Sequence, residues 1–150
     1  MPLYFAYGSN LSLDQMKRRC PGSEMVDVGY IEDHELGFTA FASRWNGGVA
    51  DIIERKGSVV WGLVYSITIE DLSHLDYFEG HPTFYNRKKV KVHGREGMHE
   101  DVWTYYVIDK KDFIPPTMVY FELIYEAGKL FDFPVDYLRL LEQLEARIEE

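Results

Sequence analysis

The sequence has little cysteine, fewer basic than acidic residues and no long apolar run. Its one cysteine, Cys20, cannot form an internal disulfide, which suits a reducing compartment such as the cytoplasm. No apolar stretch approaches the ~20 residues that a membrane-spanning helix needs. The first residues also lack the basic segment and apolar stretch of a signal peptide. We therefore expect no membrane segment and no targeting segment.

The charge balance is acidic, with 25 Asp and Glu against 16 Lys and Arg and a formal net charge of -9 at pH 7. This charge repels nucleic-acid phosphates and anionic lipids, so we expect neither nucleic acid nor a membrane surface as a partner. The 150 residues are 46% hydrophobic and 15% aromatic. Such a chain can bury one substantial core but is short for two domains. We predict one domain over residues 1–150.

In the first half of the chain, short apolar runs alternate with turn residues. "LYFAY" (3–7) predicts a buried strand, and Ser12 with Gln15 forms a capping box that opens a helix ending near Cys20. Strand-like pieces lie around 26–31 and 36–41, before a turn at "RWNGG". Two further strands are expected on either side of "ERKGS", which has the composition of a hairpin loop.

The second half contains clearer helix signals. Thr68 with Asp71 forms a second capping box, and its helix should end at Gly80. "FYNRKKVKV" and "DVWTYYVI" predict strands, and two helices follow, from Thr117 to about 131 and from Pro134 to the end. Strands and helices mixed at irregular spacing indicate the α+β class, with a mixed, curled sheet or barrel and flanking helices.

One acidic residue of the middle helix falls on its apolar side. At about 100° per residue, the apolar arc of this helix holds Ile69, Leu72, Leu75 and Phe78. Glu79 falls between Leu72 and Leu75. Burial there, together with the partial negative charge of the last helical turn, would raise the pKa of the carboxyl group. A carboxyl group with a raised pKa suits general acid–base catalysis. The alternative is that the helix frays at this end and the side chain turns to solvent.

The loop "YGSN" (7–10) joins the first strand to the first helix. Backbone N–H groups just before a helix favour an anion, and Gly8 has no side chain to block its approach. An ordinary turn is the alternative reading. Ser9 lacks the GxSxG surroundings of a nucleophilic serine, and the five histidines lack metal-ligand spacing. We expect no metal site.

Several segments stand in order along the chain: "YFAYGSNL", "WNGGVADI", "VWGLVY", "LDYFEG", "EGHPTFYNRKKVKV", "TYYV" and "PPTMVY". Taken together, they resemble the gamma-glutamylcyclotransferase family, of AIG2-like fold, and the resemblance is weakest between Pro21 and Ala42. It implies a mixed β-barrel with flanking helices and a pocket at its mouth. It also implies an enzyme that releases an amino acid or amine from a gamma-glutamyl compound, while the glutamyl part closes to 5-oxoproline without metal or cofactor.

The resemblance also implies the site residues. The loop that holds the glutamyl end is matched by Tyr7, Gly8, Ser9 and Asn10. Glu79 matches the acid–base glutamate, Tyr106 a tyrosine that lines the pocket, and Tyr85 a supporting tyrosine. We assign the neighbouring stripe of Trp103 and Tyr105 to the core. The YGSN form of the loop is closer to the general gamma-glutamyl branch than to the YGSL form of glutathione-specific enzymes or the YGTL form of short relatives.

The chemistry fits this residue set, because attacking amine and attacked carbonyl belong to one substrate molecule. The protein need only fold the glutamyl chain and move protons, and a single buried carboxylate can do both proton transfers. Two alternatives remain open. One is a cyclotransferase that acts on gamma-glutamylamines or removes a gamma-glutamyl protecting group, and the other is a non-catalytic module that binds small anions. The sequence leaves the leaving group and the oligomeric state open, with a homodimer as one alternative.

Overall fold

A closed barrel of five strands forms the centre of the computed structural model, which describes residues 1–148. The strands are β1 (Leu3–Ala6), β2 (Glu24–Ala42), β3 (Gly47–Ser66), β4 (Tyr85–Gly94) and β5 (Gly97–Val107). Their order around the barrel is β1-β3-β2-β4-β5. A parallel pairing of β1 with β5 closes the barrel, and the other neighbours are antiparallel.

Helices flank this barrel, as the α+β prediction expects, and that prediction is confirmed. The helices are α1 (Leu13–Arg19), α2 (Ile69–Glu79), α3 (Met118–Leu130) and α4 (Val135–Ile148), with a 3-10 turn at Ser9–Leu11. The capping box of Thr68 and Asp71 is complete in both directions, and Gly80 ends α2 in the left-handed conformation with φ 66°. The last two residues of the predicted final helix, 149 and 150, lie outside the described residues.

The strand β2 is one continuous element, so the prediction of two separate pieces is wrong. Its 19 residues pair with β3 along almost their whole length, with three register shifts, one of them between Glu32 and His34. Such irregularities bend and twist a strand without ending it. The polar residues between the two apolar runs therefore mark a bend in the barrel wall.

The predicted hairpin loop "ERKGS" is also wrong, because the chain does not reverse there. Glu32 pairs with Val59, and His34 pairs with Glu54, so β3 faces the same partner strand on both sides of the segment. The residues between protrude from the sheet. Gly57 there has φ +89°, and its N–H donates to Oδ1 of Asp33 at 3.0 Å. Turn-forming residues here build a bulge inside a 20-residue strand.

The core joins the barrel to its helices. Its largest fully buried side chains come from the strands, from both ends of the chain and from α2: Phe5, Leu11, Met16, Ile31, Phe38, Ile52, Leu63, Ile67, Leu75, Phe121, Ile124 and Leu141. The predicted apolar side of α4 is confirmed, with Tyr137 and Leu141 buried. No helix within residues 1–148 is long and apolar enough to span a membrane.

Candidate active site

A cavity of about 350 Å³ lies beside the barrel, where the first loop meets the end of α2. Its walls include residues 7–10, residues 41–45 at the end of β2 and in the following turn, and residues 77–80. The fold therefore brings the YGSN loop and Glu79 to one cavity, although about 70 positions separate them in the sequence. Its size is within the range of small-molecule sites, roughly 300 to 1,000 Å³.

Glu79 is the last residue of α2, and its partly buried side chain lines the cavity. Burial raises the pKa of its carboxyl group to about 7, although the charges of Arg19 and Arg44 act in the opposite direction. Among residues 1–148, no group forms a hydrogen bond or an ion pair with this carboxylate. The group is therefore free to exchange a proton with a ligand in the cavity.

The helix α2 continues to Glu79, so the alternative that the helix frays at this end is wrong. Leu75 is fully buried, and Phe78 is partly buried beside the cavity. The prediction that Ile69 belongs to the buried side of α2 is wrong, because Ile69 is 72% exposed. Ile69 opens the first turn of α2, where the residue facing inward is the capping residue Asp71, 3% exposed. The buried side of α2 begins one turn later than the sequence pattern indicates.

Hydrogen bonds from α1 hold the YGSN loop in place. The Nε2 atom of Gln15 donates to Oγ of Ser9 at 2.7 Å and to Oδ1 of Asn10 at 3.0 Å. Asn10 is only 3% exposed, and its Nδ2 donates to the hydroxyl of Tyr4 at 3.0 Å. Asn10 also accepts from Nη1 of Arg19 at 3.2 Å. Its Oδ1 therefore accepts two hydrogen bonds and its Nδ2 donates one, all within the protein, so that the side chain supports the loop.

The predicted capping box of α1 forms only in part. Ser12 caps the helix, since its side chain accepts from the N–H of Gln15. The side chain of Gln15 does not return to the backbone of Ser12 as a capping box requires, because it binds the loop residues Ser9 and Asn10 instead. The side chain of Gln15, which the sequence pattern assigns to helix capping, thus connects α1 to the wall of the cavity.

Gly8 borders the cavity, but the space beside its Cα is filled by protein. A Cβ atom at this position would lie 3.1 Å from Cβ of Ala50 and 3.2 Å from the hydroxyl oxygen of Tyr120. The absence of a side chain at Gly8 therefore also serves the close packing of the loop against β3 and α3. Contact of Gly8 with a ligand stays a prediction.

Three buried tyrosines bind the backbone around the cavity. Tyr7 donates to the carbonyl of Tyr105 at 2.6 Å, and Tyr85 donates to the carbonyl of Ala50 at 2.5 Å. The N–H of Ala50 donates in turn to the hydroxyl of Tyr120 at 2.9 Å. Burial raises the pKa of each of these three hydroxyls, so all stay neutral. Tyr7 and Tyr85 line the cavity as predicted, and Tyr120 joins them.

The structure places Tyr105, and not Tyr106, in the wall of the cavity. Tyr106 is partly buried elsewhere, with the Nζ atoms of Lys88 and Lys110 at 5.5 and 5.4 Å from its ring centroid. Tyr105 instead donates its hydroxyl to Oδ1 of Asp76 at 2.6 Å. Adjacent residues of a strand point to opposite faces, so a shift of one position within "TYYV" exchanges the two roles. The assignment of Tyr105 to the core is confirmed, since Tyr105 is 3% exposed within the core cluster, and the same side chain also lines the cavity.

The sequence analysis missed two arginines in the cavity wall. The guanidinium groups of Arg19 and Arg44 lie 4.8 and 5.0 Å from the ring centroid of Phe78, the residue before Glu79. Both arginines line the cavity. Arg44 stands next to the quoted segment "WNGGVADI", but a cation in a turn is usually solvated, so the sequence carried no specific signal. Within residues 1–148, no group of three His, Cys, Asp or Glu could hold a metal ion.

Comparisons with known proteins identify the family of this chain. The family described as "Gamma-glutamyl cyclotransferase, AIG2-like" matches residues 4–120. Gamma-glutamylcyclotransferases of Mus musculus and Homo sapiens are 33% and 32% identical to this chain over 148 residues, covering 95% of it and 78% of each relative. A solved structure of a gamma-glutamyl cyclotransferase superposes with a TM-score of 0.86 at 28% identity, covering 99% of this chain and 98% of the other. The chain therefore belongs to the gamma-glutamyl cyclotransferase, AIG2-like family.

Proposed function

We propose that this protein is a gamma-glutamyl cyclotransferase with Glu79 as its general acid and base. The observation that carries the proposal is the carboxyl group of Glu79, which has a pKa raised to about 7 by burial and lines the same cavity as residues 7–10. A group that titrates near neutral pH can both accept and donate a proton during one turnover. The substrate is a small molecule that carries a gamma-glutamyl group.

The reaction is an intramolecular acyl transfer. The α-nitrogen of the glutamyl group forms a bond to its own γ-carbonyl carbon, and the bond from that carbon to the leaving nitrogen breaks. The substrate ammonium carries three protons and the product lactam nitrogen carries one. Two protons therefore pass to the leaving nitrogen, and the carboxylate of Glu79 carries them. The products are 5-oxoproline and an amino acid or amine.

The cavity walls supply the positioning that this reaction needs. Holding amine and carbonyl together gives effective molarities of order 10⁵ to 10⁸ M in well-oriented intramolecular reactions. Residues 7–10 bind the glutamyl part in this proposal, with Tyr7, Gly8 and Ser9 facing it and Asn10 supporting them. Tyr85 and Tyr105 form other parts of the cavity wall. Their neutral hydroxyls are bound to protein groups, so they shape the site and leave proton transfer to Glu79.

The test is product formation from a panel of gamma-glutamyl peptides and gamma-glutamylamines, with 5-oxoproline quantified. Glu79→Gln keeps the shape of the side chain and should reduce turnover by at least ~10²-fold, the lower end of general acid–base contributions. Glu70→Gln is the matched control, since Glu70 is exposed on the same helix. Wild-type protein that binds these compounds in calorimetry without forming product would favour the anion-binding module. Glu79→Gln activity within a few-fold of wild type would remove the role given to Glu79.

We infer further that neither nucleic acid nor a metal takes part, and that the cytoplasm is the compartment. The net charge of -9 opposes nucleic-acid binding. Cys20 is buried and unpaired, and burial raises the pKa of its thiol to about 12, which fits a structural thiol in a reducing environment. Fractionation of cells, followed by detection of the protein, tests the compartment.

A further inference from the structure

The outer wall of the cavity carries a cation, Arg44, that transfers no proton in the proposed reaction. Arg44 lies in the turn between β2 and β3, is exposed, and lines the cavity. Its guanidinium stands 5.0 Å from the ring centroid of Phe78, a cation–π arrangement that restrains the side chain. Across residues 1–148, no carboxylate lies within ion-pair distance of it. Its hydrogen-bond donors are thus available to a ligand.

The two arginines of the cavity occupy different depths. Arg19 is partly buried, and it is bound to the YGSN loop through Oδ1 of Asn10 at 3.2 Å. Arg44 forms no hydrogen bond with that loop among the described residues, and it lies in an exposed turn. Arg19 therefore belongs to the end of the cavity where the glutamyl group would be held. Arg44 belongs to the entrance.

A gamma-glutamyl amino acid has two carboxylates, one at each end. The cavity wall has two guanidinium groups and one acidic side chain, Glu79. With the glutamyl carboxylate at the loop and the γ-carbonyl at Glu79, the leaving half of the substrate must extend toward the entrance. An arginine binds a carboxylate there through two parallel hydrogen bonds. A leaving amine that has no carboxylate would not form these hydrogen bonds with the arginine.

Building on the proposed function, we propose that Arg44 is a specificity-determining residue that binds the carboxylate of the leaving amino acid. The site then favours gamma-glutamyl amino acids over gamma-glutamylamines. In a different role, the positive charge of Arg44 would act only by lowering the pKa of Glu79. That role would affect every substrate equally, whereas recognition of a carboxylate affects only substrates that have one.

The experiment compares two substrates that differ by one carboxylate, gamma-glutamyl-L-alanine and gamma-glutamyl-ethylamide. In Arg44→Gln, the ratio of their kcat/KM values should fall by about 10-fold, because one charge-assisted interaction is lost from the alanine compound alone. Arg44→Lys should retain part of the preference. The ratio comes from one enzyme preparation, so a reduced folded fraction cancels out.

Arg55→Gln is the matched control, because Arg55 is exposed, pairs with Glu35 at 3.5 Å and does not line the cavity. Its substrate ratio should equal that of the wild type. An equal loss for both substrates in Arg44→Gln, or no loss for either, would overturn this inference and leave the cyclotransferase activity standing. Absence of 5-oxoproline from both compounds with wild-type protein would overturn the proposed function and this inference with it.

Discussion

The hydroxyl of Tyr105 donates to Oδ1 of Asp76 at 2.6 Å and thereby connects β5 to α2 one turn before Glu79. Arg87 binds the same carboxylate through Nε at 3.0 Å and Nη2 at 3.3 Å. Asp76 is thus held by two strands of the barrel, since Arg87 lies on β4. Because Asp76 and Glu79 are three residues apart, they share one turn of the helix. This arrangement fixes the end of α2 relative to the cavity.

The first prediction concerns this connection. Tyr105→Phe should lower the free energy of unfolding by about 1.5–3 kcal/mol, the range for hydrogen bonds to charged groups. It should also lower kcat by several-fold with little change in KM, because Glu79 is held less firmly. Urea unfolding and steady-state kinetics measure the two effects. Tyr106→Phe, on the neighbouring residue, should leave kcat unchanged, and a larger loss in Tyr106→Phe than in Tyr105→Phe would contradict the placement of the two rings.

Features encoded by a few neighbouring residues could be predicted from the sequence. The capping box at Thr68, the end of α2 at Gly80 and the position of Glu79 all depend on contacts within one helix, and all three are confirmed. The family and the barrel were predicted because the motifs that carry the resemblance recur in order along the chain.

Features that depend on contacts between distant strands could not be predicted. "ERKGS" has the residues of a hairpin loop, but the pairing of His34 with Glu54 keeps the chain in one strand. The choice between Tyr105 and Tyr106 depends on which face of β5 meets α2, and a local pattern does not contain that information. The role of Arg44 in the cavity wall depends on the contact between its turn and Phe78, which are far apart in the sequence.

The second prediction is a pH-dependent effect of Glu79 on stability. Its pKa is raised in the folded state from 4.5 to about 7. Below pH 4.5 the carboxyl is neutral in both states and contributes no pH dependence, whereas above pH 7 only the folded state bears the cost of a buried charge. Glu79→Gln should therefore become more stable than wild type as pH rises from about 4.5 through 7, by at most about 3 kcal/mol. Urea unfolding of both proteins at several pH values measures it, and a difference that stays constant with pH would contradict the raised pKa.

The third prediction concerns Gly8 as a packing residue. Gly8→Ala should destabilise the protein by about 1–3 kcal/mol, the usual range for overpacking, because its Cβ would lie 3.1 Å from that of Ala50. Adding Ala50→Gly removes the contacting atom, so the double variant should be more stable than the sum of the single effects indicates. Unfolding curves of the four proteins test this. Full stability of Gly8→Ala with weakened substrate binding would show instead that the glycine serves only the ligand.

The last prediction connects the charge of Arg19 to the pH dependence of catalysis. If ionised Glu79 accepts the first proton, kcat/KM should fall on the acid side with an apparent pKa of about 7, the value of the free enzyme. The charge of Arg19 lowers the pKa of Glu79, so Arg19→Gln should move this limb to higher pH, whatever it does to the maximum rate. Arg18→Gln, an exposed neighbour on α1, should leave the limb in place. A limb that stays fixed in Arg19→Gln, or moves to lower pH, would mean that another group controls the acid side of the profile.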